Sequence, residues 1–210
     1  MKERQVIKKT MFTGIIEEMG IVQSIVQSEK GARIFIAAKK TRNGLKPGGS
    51  IAVNGVCLTA TTISLTGFWA DIGHETIRIT NLGGLQRKER VNLERAVCLG
   101  ARMDGHLVSG HVDGVGIIRN RKEVQNALTL TLSVPRSILK YCIPKGSIAV
   151  DGISLTIQSC LVNGITVMVI PFTAKMTTLG IKVKNESVNL EADLIGKYIE
   201  RLTQPVDRLA

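Results

Sequence analysis

The chain has 210 residues and a formal net charge of +11, from 28 Lys and Arg against 17 Asp and Glu. This length allows one or two domains, each large enough to bury its own core. Basic residues are scattered and only 3% of the residues are aromatic. A surface that stacks on bases needs more aromatics, so we expect no nucleic-acid partner. No apolar run reaches membrane-spanning length and the N-terminus is too polar for a signal peptide, so we expect no membrane association.

The first ten residues are polar and basic and have no counterpart later in the chain. We interpret residues 1–10 as a disordered extension, or as the product of a start codon assigned upstream of Met11. After Met11 the sequence becomes rich in Ile, Val and Leu, which favour strands. Strands are predicted over 15–26, 32–38, 51–53, 56–63, 68–72 and 90–93, with a short helical or irregular connection at 76–81.

The segment SIAVNGVCLT at 50–59 returns as SIAVDGISLT at 147–156, an offset of 97 residues from Ser50 to Ser147. The same offset relates VNLE at 91–94 to VNLE at 188–191, and smaller markers follow in the same order. The chain is therefore a tandem repeat of one unit of about 97 residues, and the repeat indicates two domains of one fold. Several polar positions differ between the copies, which indicates two different chemical faces.

The second unit repeats the plan of the first. Strands are predicted over 112–119, 127–134, 148–150, 153–159, 165–170 and 187–190, with a short helix over 135–141 that begins at a proline. Many short strands separated by Gly and Asn turns indicate a sandwich or a barrel. A terminal helix carries one apolar stripe formed by Leu194, Ile195, Tyr198, Ile199 and Leu202. The pattern leaves open whether this stripe packs on its own barrel or on another subunit.

The residues with chemical potential are few. None of the four cysteines forms a CxxC pair, which argues against a zinc or redox motif and fits a reduced cytosolic compartment. The spacing of His106 and His111 places them on opposite faces if the segment is a strand, and metal ligation is not favoured. Because this stretch joins the two units, one or both histidines are candidates to line a site at the domain junction. Ser154 and Thr156 share one strand face, as do Cys57 and Thr59. Such a face is either partly solvated or a ligand pocket, and the pattern alone favours solvation.

Six motifs in this order resemble one enzyme family. They are MFTGIIEE at 11–18, NGVCLT at 54–59, ETIRITNLG at 75–83, GHLVSGH at 105–111, DGISLT at 151–156 and TTLG at 177–180. Each motif is weak alone, but together on a duplicated chain of this length they resemble riboflavin synthase of the alpha-chain type. The resemblance covers the chain from Met11 to about Leu202.

The resemblance implies an all-β fold of two tandem six-stranded Greek-key β-barrels followed by a C-terminal α-helix that assembles a homotrimer. It implies the divisions 1–10, 11–107, 108–192 and 193–204 for extension, two barrels and trimerisation helix. It implies dismutation of two 6,7-dimethyl-8-ribityllumazine molecules into riboflavin and 5-amino-6-(ribitylamino)uracil, in the cytoplasm and without a metal or redox cofactor. The productive site is expected between the N-terminal barrel of one subunit and the C-terminal barrel of a neighbour. Association with a lumazine synthase shell stays open.

The resemblance also implies site residues. Acid–base or polarising roles fall to His111, Ser154 and Asp193, with Cys57 in support, and Phe12 is expected beside the N-terminal site. The expected N-terminal pocket is Gly14, Ile15, Ile16, Cys57, Leu58, Thr59, Asp71, Ile72, Gly73, His74, Glu75, Thr76, Gly110, His111 and Val112. The expected C-terminal pocket is Lys145, Ser154, Leu155, Thr156, Val169, Ile170, Pro171, Phe172, Thr173 and Ala174.

Two positions depart from the family pattern. Some members have two adjacent cysteines where this chain has Val56 and Cys57, so any thiol role falls to Cys57 alone. Phe172 stands where many members carry a polar residue such as Glu or His. Side chains such as Glu75 are expected to hold the ribityl hydroxyls in the N-terminal pocket, and Phe172 removes that means of holding the chain from the C-terminal pocket.

Two other functions compete with the enzyme. Lumazine-binding fluorescent proteins share the fold and hold a ligand in the N-terminal barrel without catalysis, and they are expected to have lost the polar residues of the C-terminal pocket. Lys145, Ser154, Thr156 and Asp193 are all present here, which favours the enzyme. A basic oligonucleotide-binding barrel would need exposed aromatics, and the chain offers one Trp, two Tyr and four Phe.

Deletion of residues 1–10 is expected to leave riboflavin formation unchanged, because the repeat and the family motifs begin at Met11. The rate of riboflavin formation by the shortened and full-length proteins, followed by absorbance, measures the effect. A large loss of rate on deletion would show that the extension is functional.

Overall fold

Each half of the repeat folds into a closed barrel of six antiparallel strands. The computed structural model describes residues 10–29, 31–124 and 126–203, so residues 1–9 of the proposed extension lie outside the described part. The barrel prediction is confirmed, and the alternative of a sandwich is excluded. In both barrels apolar side chains alternate along the strands between a buried interior and the outer surface, which is the pattern that closes a small barrel around its own side chains.

The first barrel has strands β1 (Glu18–Ser28), β2 (Gly31–Ala37), β3 (Ser50–Val53), β4 (Val56–Ile63), β5 (Gly67–Gly73) and β6 (Arg90–Arg95). They are joined in the order β1-β2-β5-β4-β3-β6 and the ring closes between β6 and β1. Because β2 pairs with β5 and β3 with β6, the chain crosses the end of the barrel twice, as in a Greek key.

The second barrel has strands β7 (Gly114–Val124), β8 (Ala127–Ser133), β9 (Ser147–Val150), β10 (Ile153–Leu161), β11 (Gly164–Val169) and β12 (Ser187–Ala192). Its ring order, β7-β8-β11-β10-β9-β12, repeats the order of the first barrel. β7 starts later than the predicted position 112, because Val112 belongs to the core of the first barrel.

The described ranges also contain four α-helices, α1 (His74–Ile79), α2 (Arg136–Leu139), α3 (Pro171–Met176) and α4 (Leu194–Thr203), and two short 3₁₀ helices, Asn81–Gly84 and Thr178–Gly180. α1 and α3 occupy equivalent places after β5 and β11. The connection after β5 is therefore helical and not irregular, and α1 begins two residues before the predicted position 76. α2 is a single turn, shorter than the predicted 135–141. None of the helices in the described ranges is long and apolar enough to cross a membrane.

α4 leaves its apolar stripe uncovered. Ile195, Tyr198, Ile199 and Leu202 are 59%, 55%, 57% and 81% exposed, so the stripe does not pack on the barrel of its own chain. The helix is instead fixed through its polar side: Lys197 bonds Asp113 at 2.7 Å, and Glu200 bonds the side chains of Lys140 and Tyr141 in the segment around α2.

The two barrels touch where two equivalent hairpin turns meet. Asn54 and Gly55 have φ values of +45° and +77°, and Asp151 and Gly152 have +46° and +78°. Two consecutive positive φ values are typical of the tight hairpin turn that matches strand twist, and they favour Asn, Asp and Gly. A Cβ on Gly55 would lie 2.6 Å from the backbone nitrogen of Gly152. Glycine is therefore required by the approach of the two turns as well as by their shape.

Asparagine side chains join the barrels around these turns. Asn92 donates from its amide to the carbonyl oxygen of Asp151 at 3.0 Å and accepts from the backbone nitrogen of Thr178 at 2.8 Å. Asn189, the equivalent residue of the second barrel, donates to the carbonyl oxygen of Asn54 at 2.9 Å. Both asparagines are 0–1% exposed. The repeated VNLE motif is therefore the polar connection between the barrels as well as part of a strand.

Replacing Asn92 with Ala is expected to lower the free energy of unfolding by roughly 2–5 kcal/mol, because two buried backbone groups lose their partners. Asn163, exposed at a turn, is the matched control, and Asn163→Ala is expected to change stability by less than about 0.5 kcal/mol. Urea titrations of both variants measure the difference. Equal stabilities would mean that water replaces the bonds of Asn92 without cost.

Candidate active site

Two short segments that precede the barrels cross between them. We call residues 12–16, before β1, the first lead-in segment, and residues 108–112, before β7, the second. They pair with each other through a single antiparallel bridge: the nitrogen of Phe12 donates to the oxygen of Val108 at 2.7 Å, and the reverse bond is 3.1 Å. The two segments therefore lie together at the junction of the barrels.

A buried carboxylate holds each lead-in segment. Glu94 of β6 accepts the backbone nitrogens of Thr13 and Gly14 at 2.7 and 3.0 Å, and the Thr13 hydroxyl at 2.8 Å. Glu191 of β12 repeats this pattern with Ser109 and Gly110 at 2.7, 2.7 and 3.0 Å. Burial raises the pKa of Glu94, and the bonds from Thr13 and Gly14 act in the opposite direction. Both carboxylates come from the last strand of a barrel and fix the segment that leads into that same barrel.

Each held segment then contacts the opposite barrel. The backbone nitrogen of Ser154 donates to the oxygen of Gly14 at 2.8 Å, and the backbone nitrogen of Cys57 donates to the oxygen of Gly110 at 2.9 Å. Gly14 and Gly110 have φ values of +78° and +79°, and a Cβ on either would come within 2.6 Å of its neighbour, Ser154 or Cys57. The structure thus contains two equivalent places in which a lead-in glycine meets a strand bearing a hydroxyl or a thiol.

This crossing corrects one grouping predicted from the sequence. Gly14, Ile15 and Ile16 were expected in the pocket of Cys57, but Gly14 lies against Ser154, and Ile16 packs against the core of the second barrel. Gly110 and Val112 lie with the first barrel as expected, and Val112 is part of its core. The repeat shows which residues are equivalent, but it does not show that each lead-in segment crosses to the other barrel.

His106 is a candidate from the sequence for a site at the domain junction, but it is given no acid–base role there. Its Nδ1 lies 2.7 Å from the Oγ of Ser154, and it is half-buried. Burial lowers the pKa of His106, while the carboxylate of Asp193 acts in the opposite direction. His106 Nε2 is buried and has no hydrogen-bond partner within the described ranges. The ring is therefore uncharged near neutral pH, and a Ser154 hydroxyl bonded to it is polarised.

His111, predicted for an acid–base role, is exposed and lies beside Gly110 on the Cys57 side of the junction. The expectation that His106 and His111 face opposite sides of one strand is wrong, because the segment between them forms a single bridge and no strand. The offset of 96 residues that relates Gly14 to Gly110 also relates Thr10 to His106. This relation could have drawn attention to His106, but Thr10 fell within the segment treated as an extension.

Cys57 is half-buried. Burial raises the pKa of its thiol, a hydrogen bond with Ser50 acts in the opposite direction, and the Glu191 carboxylate adds to the increase. The thiol is therefore protonated at neutral pH. A protonated thiol is a weak donor and a poor nucleophile, so Cys57 suits a supporting role in positioning.

The outward faces of β4 and β5 carry the polar residues predicted for the first barrel. Thr59 pairs directly with Asp71 in the strand register, and both side chains are exposed. Asp71 lies 3.5 Å from Arg33. Glu75 lies on α1 and forms an ion pair with Arg78 at 2.6 Å. These groups form a polar face on the outside of the barrel.

The other predicted pocket residues divide by burial. Leu58, Ile72, Leu155 and Val169 point into the barrel cores and can offer only backbone groups to a ligand. Those that reach the surface at least partly are Ile15, Gly73, His74, Thr76, Lys145, Thr156, Ile170, Pro171, Phe172, Thr173 and Ala174. Phe12 is 0% exposed and lies in a small apolar cluster with Ala52, Val108 and Ala149. It supports the junction from beneath, with Cys57 packed against the same cluster.

Metal ligands do not converge anywhere in the described residues: no three of their His, Cys, Asp or Glu side chains are placed to share an ion. The site instead consists of backbone groups, hydroxyls, a thiol, histidines and carboxylates. Such a set can orient a flat heterocycle, accept hydrogen bonds from hydroxyls and move protons.

Both halves of the chain match the family model of the lumazine binding domain, over residues 13–96 and 109–193. With the two closed barrels and their equivalent junction sites, these matches define a protein with tandem lumazine binding domains. The riboflavin synthase of Actinobacillus pleuropneumoniae is 44% identical over 94% of this chain and 93% of its own. That of Bacillus subtilis (strain 168) is 41% identical over 91% of this chain and 89% of its own. The chain belongs to the riboflavin synthase family.

A solved structure shows the same architecture with a ligand. LumP complexed with 6,7-dimethyl-8-(1'-D-ribityl) lumazine has a TM-score of 0.79 and 25% identity, over 86% of this chain and 98% of LumP. LumP complexed with riboflavin gives a TM-score of 0.81 with the same coverage. The fold of this chain is therefore similar to that of proteins that bind these ring systems.

Replacing His106 with Gln is expected to remove part of the dependence of stability on pH. Because the pKa of His106 lies below its ordinary 6.5 in the folded protein, the unfolded chain takes up a proton at a higher pH than the folded chain. The free energy of unfolding therefore falls as the pH is lowered from above 6.5 toward the pKa of the folded state.

Urea titrations at about pH 7.5 and about pH 5.5 measure this effect. The wild type is expected to lose more stability between the two than His106→Gln. Ser154→Ala is the control, since it removes the same hydrogen bond and keeps the imidazole; it should retain the wild-type pH dependence. Identical losses in the wild type and His106→Gln would contradict the lowered pKa.

Proposed function

We propose that the protein is a riboflavin synthase. Two molecules of 6,7-dimethyl-8-ribityllumazine react; one gives up a four-carbon unit and leaves as 5-amino-6-(ribitylamino)uracil, and the other becomes riboflavin. The observation that carries this proposal is the pair of equivalent junction sites in one chain, in which Gly110 meets Cys57 and Gly14 meets Ser154. A reaction between two copies of one substrate needs two similar half-sites.

Positioning supplies most of what this reaction needs. The C7 methyl group of the lumazine ring is unusually acidic, so a carbanion forms with modest help. Holding two flat rings face to face turns a bimolecular step into one within a complex, which is worth up to ~7–11 kcal/mol in favourable cases. The rigid strands β4 and β10, each tied to a lead-in segment, suit this role because they fix the backbone groups that would hold the ring edges.

Ser154 and His106 are the pair to which we assign proton transfer. We assign Nδ1 of the uncharged His106 as the acceptor of the hydrogen bond from the Ser154 hydroxyl. As Oγ takes a proton from substrate, the hydroxyl proton passes to Nδ1. Asp193 favours the protonated imidazole that would follow, as the direction of its effect on the pKa of His106 indicates. His111 and Cys57 serve the other half-site as polar contacts, and Glu75 and Asp71 accept bonds from ribityl hydroxyls.

The assembly we propose is a homotrimer in which the N-terminal barrel of one subunit faces the C-terminal barrel of the next. The exposed stripe of α4 supports this proposal, because four large apolar side chains remain uncovered in the single chain. We also propose the units 11–107, 108–192 and 193–204, which the extents of the two barrels and of α4 support; residue 204 lies outside the described part of the chain. We place the protein in the cytoplasm, and association with a lumazine synthase shell is a further arrangement open to a trimer.

A ligand carrier is the second function, since LumP shares the fold. Identity favours the enzyme: the riboflavin synthases of Actinobacillus pleuropneumoniae and Schizosaccharomyces pombe are 44% and 40% identical to this chain, against 25% for LumP. The polar residues Lys145, Ser154, Thr156 and Asp193 of the second half-site are also retained.

A cofactor-free assay separates the two functions. Purified protein is mixed with 6,7-dimethyl-8-ribityllumazine, and both compounds are followed by absorbance. Riboflavin is expected to form at half the rate at which lumazine disappears, as the dismutation requires. Tight lumazine binding without turnover would show a carrier, and neither binding nor turnover would show that the family resemblance extends to the fold alone.

Ser154→Ala is expected to lower kcat by about 10²-fold, the lower range for loss of a positioned proton donor or acceptor, with a smaller change in KM. Ser159 lies on the same strand, with its hydroxyl 2.6 Å from that of Thr166, and Ser159→Ala should change kcat less than about twofold. A rise in KM at constant kcat for Ser154→Ala would reduce the role of Ser154 to binding.

A further inference from the structure

The outer surfaces of the two barrels carry opposite chemistry at equivalent positions. In the first barrel β2 pairs Arg33 with Asp71 of β5, and the two side chains form an ion pair at 3.5 Å. In the second barrel the equivalent pair is Thr129 of β8 and Met168 of β11. A charged pair has thus become an apolar side chain beside a hydroxyl.

The helices that follow these strands also change from a charged surface in the first barrel to an apolar surface in the second. Glu75 of α1 is exposed and paired with Arg78, whereas Phe172 of α3, the equivalent of Glu75, is 70% exposed. Ile170 precedes α3 and is 53% exposed. Phe172 and Met176 lie one turn apart on the same side of α3. The outer surface of β11 and α3 therefore presents four apolar side chains in succession, Met168, Ile170, Phe172 and Met176, each at least partly exposed.

Lys175, the cation of α3, follows Phe172 by three residues and is its neighbour on the helix surface, where it lines a cavity with Pro171 and Ala174. An ammonium group donates hydrogen bonds and accepts none, so Lys175 does not replace the carboxylates of the first barrel. No carboxylate stands at the position of Asp71 or of Glu75 in the second barrel. The acceptors that a polyhydroxylated chain finds on the first barrel have thus no equivalents on the second.

We propose that Phe172 determines the ligand specificity of the second half-site, which binds the ring of its ligand and is indifferent to a polyhydroxylated side chain. This inference rests on the proposed function. Hydroxyl groups laid against Phe and Met lose water and gain no partner, which is unfavourable. A flat conjugated ring against the same side chains gains aromatic and thioether contacts. The first half-site, with Asp71 and Glu75, recognises the chain as well as the ring.

Two flavins that differ only in the side chain test this division. Riboflavin carries the ribityl chain, and lumiflavin carries a methyl group in its place. In equilibrium titrations of the full-length protein, followed by flavin fluorescence, riboflavin is expected to fill a tight and a weak class of site that differ by about tenfold or more in affinity. Lumiflavin should bind the weak class as well as riboflavin does and lose affinity for the tight class. An equal loss of lumiflavin affinity in both classes would overturn the proposal.

Reciprocal substitutions assign the classes to the barrels. Phe172→Glu should strengthen riboflavin binding in the weak class by about tenfold, the effect of a hydrogen bond to a charged acceptor, and leave lumiflavin binding there unchanged or weaker. Phe172→Leu is the matched control and should leave the riboflavin-to-lumiflavin ratio as it is in the wild type. Glu75→Phe should weaken riboflavin in the tight class by about tenfold. If Phe172→Glu and Phe172→Leu had the same ratio of riboflavin affinity to lumiflavin affinity, Phe172 would not determine the specificity of the second half-site.

The dismutation assay on the same wild-type preparation separates this inference from the proposed function. Absence of turnover from 6,7-dimethyl-8-ribityllumazine would contradict the proposed enzyme activity. The flavin titrations report on the two half-sites whether or not turnover occurs.

Discussion

The hydrogen bonds accepted by Glu94 and Glu191 are the constraint on which the site depends. The lead-in segments belong to no strand of either barrel and share one antiparallel bridge, with a few further backbone hydrogen bonds to their neighbours. A buried carboxylate that accepts two consecutive backbone nitrogens and a hydroxyl supplies a further constraint, and it is itself stabilised because its lone pairs are satisfied. The carbonyl oxygens of Gly14 and Gly110 are thereby aimed at the backbone nitrogens of Ser154 and Cys57, so the geometry of both junctions depends on two buried carboxylates.

Around this shared backbone the two halves have diverged where a ligand would lie. The turns, the lead-in glycines and the paired asparagines are equivalent in both barrels. At other equivalent positions the residue type differs: Cys57 corresponds to Ser154, Asp71 to Met168 and Glu75 to Phe172. Such divergence suits a reaction in which two copies of one compound have unequal parts, one losing four carbons and the other gaining them. In the proposed reaction the equal backbones hold both rings, and the unequal side chains give the two substrate molecules different surroundings.

Much of the architecture was predictable because its signals are local. Alternating apolar residues and Asn-Gly or Asp-Gly turns mark the strands, and the 97-residue offset marks the two units. The start of β7, the grouping of Gly14 to Ile16 and the role of His106 were not predictable in this way. Each depends on the crossing of the lead-in segments, which joins residues far apart in the chain; His106 and Ser154 are separated by 48 positions. The same holds for the apolar stripe of α4. Its periodicity predicts an apolar helix face, but it does not predict which surface packs against that face.

The crossing of the lead-in segments also bears on how a duplicated chain of this kind arises. Each barrel holds its own lead-in segment through a carboxylate and is contacted by the lead-in segment of the other barrel. A single barrel would lack that second contact, and two identical copies would supply it to each other about a two-fold axis. Fusion of two such genes turns a contact between chains into one within a chain and leaves every hydrogen bond of the exchange in place. The lead-in crossing is thus the arrangement expected of a symmetric dimer of single barrels, although the side chains of the two halves differ in the present chain.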